Sequence, residues 1–159
     1  MKNSRSAHAK LLALLGEMTP AMQAAHAACA ARRACAKLPD GDNGKETAMR
    51  ALDLMSTCDN AQAIRGMATA VYERSREWRA FEPIYFALMA AFCAVSCRAY
   101  VIESGGAEAP GVARSARAYA AEFWRYLRNP SAATTEVRKQ VRDAQALIKL
   151  AAEVAAVTP

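Results

Sequence analysis

Met18, Met22, His26 and Cys29 follow one another at spacings of four, four and three. On a helix that spacing stacks two thioethers, an imidazole and a thiol up one face. Cys93 and Cys97 are four apart and share a face in the same way. Two thiolates at that spacing hold a soft ion such as Cu(I) or Zn(II) when a second helix supplies further ligands. His26, Cys29, Cys93 and Cys97 are therefore the candidate metal set, and a redox-sensing bundle is the function that would use them. A structural role is the stronger reading. Unpaired Cys behaves as a small buried hydrophobe, and Cys93 and Cys97 lie in the apolar run Pro83–Cys97. His26 sits among alanines with Arg33 two turns on along the same side, a poor neighbour for a cation. No metal and no other cofactor is expected.

The second set is basic. Arg114, Arg117, Ala121, Arg125 and Arg128 project within a narrow arc of one helix, with Trp124 on its flank. Glu122 is the only carboxylate between Arg114 and Arg128. Guanidiniums in line recognise phosphates or carboxylates, and a bordering indole anchors an interface or stacks on a base. The expected partner-binding residues are Arg114, Arg117, Trp124, Arg125 and Arg128. The opposite side, Val112, Ala116, Tyr119, Phe123, Tyr126 and Leu127, is the expected core face. Arg138, Lys139 and Arg142 form a further basic group, diluted by Glu136 and Asp143. A third set, Glu73–Pro83, mixes Arg74, Arg76 and Arg79 with Trp78 and Phe81. It reads as a helix end with aromatics turned inward and arginines lying over them.

Support for catalysis is thin. There are two histidines, and no HExxH, GxSxG, Gly-rich phosphate loop or Walker lysine. The Glu-x-x-His pairs of helical di-iron bundles are absent as well. A non-enzymatic protein is expected.

Pro, Gly and Asn clusters divide the chain into the elements that must position these residues. The predicted helices cover about Ser6–Met18, Pro20–Leu38, Lys45–Thr57, Ala61–Phe81, Pro83–Ser104, Pro110–Arg128 and Ala132–Val157. Thr19 then Pro20 reads as an N-cap followed by a first-turn proline, which leaves Met18 outside the helix that carries Met22, His26 and Cys29. The fifth helix is apolar nearly all round, so it is the expected centre of the bundle. No stretch alternates with period two, so no sheet is expected. The predicted fold is one all-α domain, a bundle of about six to seven helices packed around the helix at about 83–104.

Composition bounds the rest. The chain has 159 residues, 53% of them hydrophobic. Leu, Ile, Val and Phe number 27 in all, and alanine makes up the difference. Alanine favours helix but buries little area. A thin, closely packed core follows, with modest stability or an oligomer interface. Five cysteines without a CxxC pair read as reduced thiols in a cytoplasmic protein. "LLALL" at Leu11–Leu15 is shorter than the ~7–15-residue apolar core of a signal peptide, so export is not expected. The Pro83–Cys97 run falls short of the ~20 residues that span a bilayer, so no membrane partner is expected. The net charge of +6 favours acidic partners. The expected function is a helical interaction protein, such as an adaptor, an immunity-type inhibitor or an assembly subunit, docking an acidic protein through the Arg114–Arg128 face. The alternative is an accessory subunit of a nucleoprotein complex that touches nucleic-acid backbone with the same arginines.

Overall fold

A computed structural model describes residues 2–80, 82–127 and 130–158. The described residues form seven helices and no strand: α1 (Lys2–Gly16), α2 (Pro20–Cys35), α3 (Asn43–Thr57), α4 (Ala61–Ser75), α5 (Pro83–Ser104), α6 (Ala109–Tyr126) and α7 (Pro130–Val157). Local chemistry sets most of these bounds. The Thr19 hydroxyl accepts from the Met22 N–H at 3.3 Å, and Pro20 fills the first turn of α2. Asp42 caps α3 through the Lys45 N–H at 2.8 Å, and Asn60 caps α4 through the Ala63 N–H at 3.0 Å. Pro83 opens α5 and Gly105, at φ 65°, closes it in the left-handed conformation that glycine adopts without penalty.

α4 stops at Ser75, earlier than the predicted Phe81, which lies outside the described residues. Pro83 restricts the chain before it, so a helix could not run on into α5. Ser75 is fully buried at this corner, its hydroxyl donating to the Tyr72 carbonyl at 2.7 Å. The two arginines flanking it are paired locally, Arg74 with Glu77 and Arg76 with Glu73, while Trp78 packs half-buried against the core.

α5 is the hub, packed against α2, α3, α4 and α6. Alanine supplies more than half of the buried apolar side chains, so helix axes approach closely over methyl surfaces. Larger groups fill the gaps: Leu52, Ile64, Val71, Leu88, Val95 and Phe123 are completely enclosed or nearly so. α5 is long and apolar enough to cross a bilayer by composition, but 67% of its most apolar window is buried, which is compatible with the core helix of a soluble protein. A second, smaller cluster (Leu11, Leu15, Met18, Val141 and Ala144) joins α1 to α7. From Lys149 onward every described residue of α7 is exposed.

Candidate functional site

α2 and α7 meet along a polar seam. Arg33 forms a two-pronged contact with Glu136, Nη2 to Oε1 at 2.7 Å and Nε to Oε2 at 3.0 Å. Its Nη1 donates to Asp143 Oδ2 at 2.6 Å. Gln140 Nε2 donates to Glu136 Oε1 at 3.2 Å, and His26 Nε2 donates to the Gln140 carbonyl at 2.8 Å. Glu136, Gln140 and Asp143 are spaced four and three apart, so one face of α7 carries all three. His26 and Arg33 are seven apart and share a face of α2 in the same way. Glu136 is only 1% exposed. Burial alone would lower the Arg33 pKa, but the bonds and charges of Glu136 and Asp143 outweigh it and hold it above its ordinary value.

His26 is fully buried, and its Nδ1 has no hydrogen-bond partner among the described residues. Burial pulls its pKa below 6.5, with the nearby Arg117 and Arg33 charges adding to the effect against the Gln140 bond and Asp143. The ring is therefore neutral, with its proton on Nε2. An unfolded chain takes up the imidazole proton as pH falls through 6.5, whereas the folded chain does not until a lower pH. This contribution to stability is complete above 6.5 and is lost as pH drops below it, at a limiting slope of about 1.4 kcal/mol per pH unit. Urea denaturation at pH 7.5, 6.5 and 5.5 should show stability falling as pH drops, more steeply below 6.5 than above it. His26→Gln, which keeps a donor for the Gln140 carbonyl, should flatten it.

The proposed metal ligands do not come together. Among the described residues no three His, Cys, Asp or Glu side chains form a group able to hold a metal ion. The reason is that α2 turns His26 to α7, while Cys97 on α5 donates to the Ala109 carbonyl at 3.3 Å. All five cysteines are free. Burial pushes the Cys93 thiol up to about 12 and the Cys97 thiol up to about 11, so both stay protonated at neutral pH. Cys29 is half-buried, and burial, with Asp143 beside it, raises its thiol too.

The arginine line on α6 is also broken up. Arg114 is exposed, but Arg117 is only 8% exposed. Trp124 is buried as well, its Nε1 without a partner among the described residues. Arg125 is exposed and paired with Glu122, and Arg128 lies outside the described residues. The cause is that α6 is covered by α5, α2 and α7. Its buried stripe, Ala113, Ala116, Arg117, Ala120, Phe123 and Trp124, therefore extends into the arc expected to face solvent, and Tyr126 and Leu127 emerge instead.

A cluster of unneutralised basic side chains lies on α1 and α7. α1 carries no carboxylate. The three carboxylates of α7 are already engaged, Glu136 and Asp143 with Arg33 and Glu153 with Lys149. Arg138 and Arg142 are four apart on the outer face, with Lys139 beside them, and none has an ion pair among the described residues. Arg138 and Lys10 line one groove between α7 and α1. The acids read as diluting this group therefore do not, because both face inward. The chain matches no protein-family model, no curated protein and no solved structure.

Proposed function

We propose that this chain is a non-enzymatic helical binding protein that docks an acidic protein through the outer face of α1 and α7. One observation carries the reading: each carboxylate of α7 is paired with another side chain, while Lys10, Arg138, Lys139 and Arg142 remain unpaired among the described residues. The same helix continues into an exposed apolar end with Leu150, Val154 and Val157, the last 81% exposed. A basic region adjoining exposed apolar side chains has the make-up of a protein interface, in which apolar contacts sit within a polar rim. Complementary charge adds encounter rate and selectivity.

The double reversal Arg138→Glu/Arg142→Glu tests it. Purification from nuclease-treated native lysate should retain one acidic protein in stoichiometric amount, and the double variant should bind that protein at least about tenfold more weakly with unchanged helicity. A complex unaffected by the reversal excludes this face. Binding to a labelled nucleic-acid duplex at low salt, with a steep loss as salt rises that shrinks in the double variant, would move the reading to a nucleoprotein subunit.

A further inference from the structure

A cavity of about 400 Å³ lies between α1, α2, α6 and α7, apart from the outer basic face. Its volume is at the lower end of the ~300–1,000 Å³ of small-molecule sites. Leu11, Leu15, Ala118, Ala121 and Val137 supply apolar wall, and the exposed side chains of His8, Leu12 and Arg114 mark its mouth. Arg117 lines the interior. It is more than nine-tenths buried, its Nη1 has no hydrogen-bond partner, and it makes no ion pair among the described residues. Gln23 and Gln140, both buried, line the same space. Each amide is oriented by one N–H, Gln23 on the Leu15 carbonyl at 3.1 Å and Gln140 on Glu136, and each has a second N–H to give.

A buried guanidinium without a counter-ion is costly to a fold. Burial lowers the Arg117 pKa to about 10, which still leaves it charged at neutral pH. The nearby cation Arg114 makes the position less comfortable, not more. Glu136 and Asp143, the carboxylates on the facing surface of α7, are already held by Arg33. The charge calls for an anion, and the walls call for an apolar body. A planar, two-pronged donor matches a carboxylate. A phosphate dianion would want a second buried cation, and Arg114 lies at the solvent edge.

We infer that this cavity binds a small amphiphilic organic acid, its carboxylate on Arg117 and its hydrocarbon against the leucines of α1.

Decanoate is a suitable probe, used below its micelle concentration, with decan-1-ol and inorganic phosphate as comparisons. Calorimetry should show one decanoate per chain and thermal denaturation a raised Tm, with no saturable binding of decanol or phosphate. Arg117→Met should weaken decanoate about tenfold to a hundredfold, the range expected for loss of a charged hydrogen-bonded pair. The same variant should raise the Tm of the ligand-free protein, because an apolar side chain of similar length replaces an unpaired charge. Ala121→Phe, which fills the cavity and keeps the guanidinium, should also abolish binding. Decanol binding as tightly as decanoate, phosphate competing with it, or unchanged affinity in either variant would overturn the assignment. So would the absence of saturable decanoate binding, or a lower ligand-free Tm in Arg117→Met, which would make the guanidinium structural.

Discussion

Arg33→Met is expected to destabilise the folded chain by about 3–5 kcal/mol, the usual cost of removing one partner from a buried ion pair. The loss comes less from the attraction forfeited than from what is left behind. Glu136 is 1% exposed and loses three of its hydrogen bonds, keeping only that from Gln140. Asp143 loses its partner at the same time. Against a typical total stability of about 5–15 kcal/mol, and with a core built largely of alanine, such a loss brings the chain close to unfolding. Urea denaturation followed by circular dichroism measures it. The double variant Arg33→Met/Glu136→Met should recover most of the deficit, because two apolar side chains then occupy the seam in place of an orphaned carboxylate. No recovery in the double variant would show that the damage arises elsewhere than at the stranded charge.

Gly106→Ala is expected to cost about 3 kcal/mol, from a backbone term of about 1–2 kcal/mol and an overpacking term of about 1–3 kcal/mol. Gly106 has φ 93°, where L side chains are strained. A Cβ there would lie 2.4 Å from Pro20 Cβ and 2.9 Å from its Cγ. The proline ring cannot rotate away, so the α5–α6 loop and the first turn of α2 have to separate. For a chain of this size the Tm should fall by about 6–12 °C. Gly105→Ala is the control, since Gly105 also has positive φ, at 65°, but a Cβ there meets nothing within 4 Å. It should cost only the backbone term, about 1–2 kcal/mol. Equal shifts in the two variants would remove the Pro20 contact from the explanation.

The architecture was legible because its punctuation is local. Thr19-Pro20, Asn60 and Pro83 cap or open helices for reasons contained within a few residues, and α5 begins and ends where its proline and glycine place it. The choice of α5 as the central helix followed from the absence of any polar face. The site was less legible, because it depends on which helices pair. Arg117 falls at the boundary of two arcs of α6, and one helix alone does not tell that α2 covers that boundary. Arg33 read only as a poor neighbour for a cation at His26, and Glu136 and Asp143 only as acids diluting a basic group. Each becomes intelligible only against the other, across more than a hundred residues of chain. The seven-residue step from His26 to Arg33 and the four-then-three step from Glu136 to Asp143 were the available signal, a pair of matching polar stripes on otherwise methyl-rich helices. On α7 the apolar positions Val137, Val141, Ala144, Ile148, Ala151 and Ala155 recur every three or four residues, yet the last two are exposed, so periodicity alone overstates how far that helix is covered.

Alanine methyls present nearly the same contour at every turn, so one such surface offers another little to distinguish neighbouring alignments. A slide of α7 along α2 by one turn, about 5.4 Å, would set α7 against much the same alanine surface of α2. It would also carry Glu136 out of reach of the Arg33 fork and part Gln140 from His26. The charged and amide groups between these two helices thus act as the notches of a key: shape alone leaves the helices free to slip, and polarity decides the single position in which they lock.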